Sequence, residues 1–135
     1  MTNEEYLKAL KQLKLINYHS SLVTNSVKYV NNIMVCNLRY GWRPLIIDAF
    51  KQMIEAGWDR AVIAARNVQG VLVISIPEVT DYRYPPDVYR IVTEAKEKAS
   101  HTCEICGNEN DTVIRRPSAN GTWWTVSCSD CHITR

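Results

Sequence analysis

The chain has 135 residues, of which 46% are hydrophobic and 22% charged, a globular composition that excludes a disordered or collagen-like chain. Sixteen basic and fourteen acidic side chains leave a net charge of +2, too little to argue for nucleic acid or an acidic membrane as partner. Apolar runs such as Val71-Leu72-Val73-Ile74 are far too short to span a bilayer, and the acidic start MTNEEYLKAL is unlike a signal peptide, so a cytoplasmic protein is expected.

Thr2 and Glu5 form a capping-box pattern ahead of Tyr6, Leu7, Leu10 and Leu13, which predicts an amphipathic helix over 3–14. Residues 15–25 read as irregular. Ser26–Val30 and Ile33–Asn37 read as two strands around a tight Asn31-Asn32 turn, since asparagine tolerates left-handed geometry. Pro44 opens a second helix with a broad apolar face (Leu45, Ile46, Ala49, Phe50, Met53, Ile54), and Gly57 stops it. The apolar runs Ala61–Ala65 and Val71–Ile76 read as a hairpin joined by Arg66–Gly70, the second run being apolar on both faces as a central strand would be. After the stiff loop Asp81-Tyr82-Arg83-Tyr84-Pro85-Pro86, Asp87 is placed to cap a helix with Val88, Ile91, Val92, Ala95 and Ala99 on one side.

The tail carries the chemistry. Four of the five cysteines form two Cys-x-x-Cys pairs, Cys103/Cys106 and Cys128/Cys131, with 21 residues between the pairs. A disulfide framework would spread its cysteines along the chain; these cluster in a chain without an export signal, which points to a tetrahedral thiolate site in a reducing compartment. Two intervening residues let one turn aim both sulfurs at a single ion, and Gly107 after the first pair eases the positive φ of such a turn. Four sulfurs suit Zn2+ held structurally with no position open to water; an iron centre or a redox dithiol are the other readings of the set. His101 and His132 flank the site and read as outer groups, because four cysteines already complete the shell. Cys36, in an apolar stretch, reads as a small buried hydrophobe. Thr112–Arg116 and Thr122–Ser127 read as strands with a Pro117–Gly121 turn, so two cysteine knuckles would bracket a hairpin. So short a segment cannot bury enough apolar surface to fold alone, and metal is expected to supply the folding energy.

The fold expected is therefore α+β: a body over 1–100 with a small antiparallel sheet and packed helices, followed by a four-cysteine zinc ribbon over 101–135. Trp123 and Trp124 alternate across a strand, either packed against the body or with one ring exposed as a stacking platform or protein anchor. Arg115 and Arg116 could join a tryptophan in a phosphate-binding patch. Residues 101–135 nonetheless hold three arginines against four acids, a net of −1, which favours solvated hairpin charges over nucleic-acid contact. Tyr82 and Tyr84 beside the prolines read either as an interaction element or as caps on the edge of the core. The sequence contains no Ser-His-Asp arrangement, phosphate loop or dinucleotide fingerprint, so no catalytic residue is assigned.

Two resemblances add to this. Cys128-Ser-Asp-Cys131-His132 resembles the end of an HNH nuclease module, which often carries a structural four-cysteine zinc. That family is expected to place a catalytic histidine between its cysteine pairs, and Gly107–Ser127 contains none; the resemblance therefore implies a degenerate nuclease. Gly41-Trp42-x-Pro44-Leu45, taken with Cys103-Glu104-Ile105-Cys106-Gly107, is similar to a group of small uncharacterised proteins of phage and bacterial genomes, over roughly residues 41–131. It implies a zinc-bearing, host-directed binding protein without assigned activity. The function expected is a non-enzymatic adaptor or inhibitor with a protein partner, acting in the host cytoplasm if phage-encoded. Nucleic-acid binding is the alternative.

Overall fold

Thr2 begins the first element in the way its side chain requires. Its hydroxyl accepts from the Glu5 amide at 3.1 Å, and its own amide donates to the Glu5 carboxylate at 3.2 Å, so two otherwise orphaned N–H groups are satisfied. In the computed structural model, which describes residues 2–15, 21–23, 26–28, 36–58, 64–76, 84–117, 121 and 123–133, this helix is α1, Asn3–Gln12. It buries Tyr6 and Leu10. The second helix, α2 (Arg43–Glu55), follows a single 3-10 turn, Tyr40–Trp42, and carries Pro44 in its first turn, where no amide is needed. The third, α3 (Pro86–Ala99), buries Val88, Ile91, Ala95 and Ala99 on one stripe.

Among the described residues, five strands form the main sheet in the order β1 (Ser21–Val23), β2 (Ser26–Lys28), β3 (Cys36–Asn37), β4 (Ala64–Val68), β5 (Val71–Ser75). Three of its pairings are antiparallel; β3 and β4 are parallel, and the chain crosses between them through α2. The fold is α+β, as the element pattern implies. α2 packs on α1 and α3, and α3 also packs on β5. The core is filled by Tyr6, Leu10, Trp42, Ile46, Phe50, Met53, Trp58, Leu72 and Val88, with the Phe50 and Trp58 rings stacked at 5.4 Å.

Several local expectations change. β1 lies in the stretch read as irregular; three residues are too few to show an alternating pattern. β2 and β3 pair antiparallel with Val27 opposite Cys36, and the expected Asn31-Asn32 turn lies outside the described residues. β4 runs on through Val68, so Arg66-Asn67-Val68 are strand and the loop is only Gln69-Gly70, both at positive φ (52° and 84°). A two-residue loop of this kind matches the twist of the strands it joins. Ala61–Ile63, the start of the expected first strand, lie outside the described residues. β5 is last in the strand order rather than central, with alternate residues buried. At α3 the position before the helix is Pro85, and Asp87 sits inside the first turn paired with Arg90.

Arg43 was not singled out by the sequence and is fully buried. Its Nε donates to Leu38 O at 3.3 Å and its Nη1 to Asn3 Oδ1 at 2.6 Å. The guanidinium lies 4.9 Å from the Tyr6 ring centre and 4.4 Å from that of Tyr40, so two aromatic faces take the place of a carboxylate. Burial lowers its pKa, and the two tyrosines oppose that shift. The arrangement ties α1 to the start of α2.

Candidate metal centre

After α3 the chain turns through Ser100 and His101 into the first cysteine pair. The Thr102 hydroxyl donates to Lys98 O at 2.8 Å, anchoring the exit from the helix. The Cys103–Gly107 turn then closes on itself: the Gly107 amide donates to Cys103 O at 2.9 Å, with Gly107 at φ 85° as the spacing requires. The two tail strands follow as β6 (Ile114–Pro117) and β7 (Trp124–Ser127), paired Ile114↔Ser127 through Pro117↔Trp124. The second pair is built differently from the first. Cys128 follows β7 directly and Cys131 lies on a short helix, α4 (Ser129–Ile133), whose first amide donates to the Thr112 hydroxyl at 3.1 Å.

These elements bring four sulfurs together. The Sγ atoms of Cys103, Cys106, Cys128 and Cys131 all lie within 4.8 Å of one another. Four sulfurs about 2.3 Å from one zinc ion would stand about 3.8 Å apart at the corners of a tetrahedron, so the residues fit the ion. Cys106 and Cys128 are 3.6 Å apart, a non-bonded separation far beyond the roughly 2.05 Å of a disulfide. Cys103 and Cys128 are buried, Cys131 is partly covered and Cys106 is exposed.

The thiols of the cluster do not ionise alike. Burial works against ionisation of Cys103, but the amides of Cys106, Cys128 and Ile105 point at its sulfur and bring its pKa down to about 7. Burial raises the thiols of Cys106 and Cys131, and for Cys131 the three neighbouring cysteines push in the same direction. One thiolate is thus readily formed, and further ones repel it until a positive ion is added.

The first cysteine turn is attached to the body at several points. The Trp42 indole donates to Thr102 O at 2.8 Å in a buried bond. The Gly41 amide donates to Glu104 O at 2.8 Å, and the Glu104 amide donates to Val126 O at 2.9 Å. A Cβ on Gly41 would stand 2.1 Å from Cys103 O and 2.6 Å from Gly107 N, so only glycine allows this approach. The Glu104 side chain, 2% exposed, accepts from Asn67 Nδ2 at 2.6 Å. Arg39 Nη1 stands 3.5 Å from the other carboxylate oxygen, an ion pair without hydrogen-bond geometry. Gly41-Trp42 and Cys103-Glu104-Ile105-Cys106-Gly107, distant in sequence, are therefore in direct contact.

His101 is exposed and meets Glu97 at 3.1 Å; it is not among the four clustered ligands. His132 lies on α4, and its side chain is outside the described residues, as is that of Cys36. Trp123 is 51% exposed and Trp124 37%, so neither ring is in the core. The Arg115 guanidinium lies 4.0 Å over the Trp124 ring while its Nε donates to Gln69 O at 2.6 Å, joining the tail hairpin to the β4–β5 turn. Arg116 donates to Ser127 O at 3.3 Å and to Thr112 O at 2.7 Å. Tyr84 is 4% exposed and so caps the core edge rather than presenting a contact surface; Tyr82 lies outside the described residues. Glu104, Asn67 and Arg39 were missed. A glutamate between two cysteines of a Cys-x-x-Cys pair was the available signal, but its partners are remote in sequence.

No family model, curated protein or solved structure matches the chain. Among the described residues, no helix is long and apolar enough to cross a membrane.

Proposed function

We propose that the chain is a non-enzymatic adaptor or inhibitor, stabilised by one zinc ion on Cys103, Cys106, Cys128 and Cys131, that binds a macromolecular partner, protein rather than nucleic acid. The observation that carries this reading is the closed set of four converging sulfurs, in a tail whose hairpin also exposes Trp123 and Trp124. Bound there, zinc would have no position left for substrate and would act by holding the tail in shape. Trp123 and Trp124 project from the tail hairpin, and exposed tryptophans of this kind supply much of the energy at protein interfaces. Arg115 and Arg116 already direct donors to carbonyl groups of Gln69, Ser127 and Thr112, which leaves them less able to grip phosphate. The resemblance carried by Gly41-Trp42 and Cys103–Gly107 extends the proposal to a phage-encoded protein acting in the host cytoplasm.

Affinity capture with the wild-type chain and with a Trp123→Ala, Trp124→Ala variant tests the reading. A protein partner retained by the first and lost by the second is expected. Hydrolysis of DNA or RNA with added magnesium or manganese, abolished by a His132 substitution, would replace this reading with that of a nuclease. The Arg115–Trp124 stack favours nucleic-acid binding as the alternative, because a ring already bearing a cation could also carry a base. Gel-shift titration across salt decides it: no retardation even at low salt removes the alternative.

A further inference from the structure

We propose that Glu104 is a positioning residue for the metal centre, locking the Cys103–Cys106 turn to three other segments so that metal retention depends on body residues remote from the sulfurs. The proposal rests on the metal reading above and adds to it a residue that touches no ion.

Every polar group of Glu104 is engaged outside its own turn. Its amide donates to Val126 O on β7, and its carbonyl accepts from the Gly41 amide. One carboxylate oxygen accepts from Asn67 Nδ2 on β4, and the other faces Arg39. A carboxylate this deeply buried is costly unless it is paired and hydrogen-bonded, and an apolar side chain could fill the same space without that cost. Charge-assisted contacts fix orientation as packing alone does not. Asn67 is itself held, because its Oδ1 accepts from the Gly70 amide at 2.6 Å while its Nδ2 is directed at Glu104.

Orientation matters at this position. The residues that follow, Ile105 and Cys106, carry amides that point at the Cys103 sulfur. A rotation of the backbone at Glu104 would swing both away and tilt Cys106 out of the tetrahedron. The chain of contacts runs from the β4–β5 turn through Asn67 and Glu104 to the ligands. Groups that orient metal ligands in this way typically change affinity about 10- to 100-fold when removed.

The test uses the zinc-loaded full-length protein challenged with excess chromophoric chelator, with release followed by absorbance. Glu104→Ala should accelerate release about 10- to 100-fold, and the near-isosteric Glu104→Gln by a smaller factor with an unchanged far-UV circular dichroism spectrum. The cobalt-substituted Glu104→Gln protein should show shifted d–d bands, which a loss of general stability would not produce. Asn67→Ala should also accelerate release, and the Asn67→Ala, Glu104→Ala double variant should release no faster than Glu104→Ala alone. If the alanine variant fails to fold, the glutamine variant decides the matter. Release rates and cobalt spectra of Glu104→Gln that match wild type, or an Asn67 effect that multiplies with that of Glu104, would overturn the proposal. A wild-type protein that binds neither zinc nor cobalt would overturn the metal reading instead.

Discussion

Replacing Gly41 with alanine should destabilise the protein, although local propensity predicts the opposite. In a 3-10 turn at ordinary negative φ, a glycine-to-alanine change removes freedom from the unfolded chain and is worth about 0.4–1 kcal/mol of added stability. The structure opposes this with a clash. The new Cβ would lie 2.1 Å from Cys103 O, 2.6 Å from Gly107 N and 2.7 Å from the Glu104 carbonyl carbon, all backbone atoms of the metal-binding turn. Over-packing of this kind costs about 1–3 kcal/mol or more when the neighbours cannot rotate away. Relief by separation also breaks the Gly41–Glu104 hydrogen bond, a further ~1 kcal/mol. The net loss should be about 2–3 kcal/mol, which for a chain of this size lowers Tm by roughly 6–12 °C. Urea unfolding of the zinc-loaded protein, followed by tryptophan fluorescence, measures it. A variant as stable as wild type, or more so, would refute the contact between the Tyr40–Trp42 turn and the first cysteine pair.

Trp42→Phe removes the pyrrole half of the indole and with it the donor to Thr102 O; the unpaired buried carbonyl alone should cost about 1–3 kcal/mol in the same unfolding assay, and the cavity left in the core adds to it. Cys106→Ala and Cys128→Ala should each lose the metal, seen as absent zinc by elemental analysis together with altered near-UV circular dichroism. Zinc affinity should fall as pH is lowered. Protons compete for every ligand, and the raised thiols of Cys106 and Cys131 must be deprotonated to bind, whereas Cys103, lowered by the amides around it, gives up its proton more readily; chelator competition at several pH values measures the slope. Thr2→Ala should remove the capping box and cost about 1 kcal/mol, with α1 fraying first by hydrogen exchange.

What the sequence made legible is what neighbouring residues decide. The capping box at Thr2 and Glu5, the proline in the first turn of α2 and the positive φ at Gly107 are local signals, and each has its counterpart in the structure. The four ligands were readable because thiolate chemistry imposes spacing. The joints between distant segments were not. Nothing around Glu104 names Asn67 or Arg39 as its partners, and nothing around Gly41 announces that a cysteine turn presses on its α-carbon. Arg43 looks like an ordinary charge at a helix start, yet it is buried between Tyr40 of the turn just before it and Tyr6 of the distant α1. The expected strand stops at Ala65 because the run Arg66-Asn67-Val68 looks polar, while β4 continues to Val68 through its pairing with Val73, Leu72 and Val71.

The most direct measurement is the metal content of the natively purified protein, combined with titration of its reactive thiols. One zinc per chain is predicted, with Cys103, Cys106, Cys128 and Cys131 shielded from alkylation until a chelator is added. Absence of bound metal, or recovery of those cysteines as disulfides under reducing purification, would contradict the account at its centre.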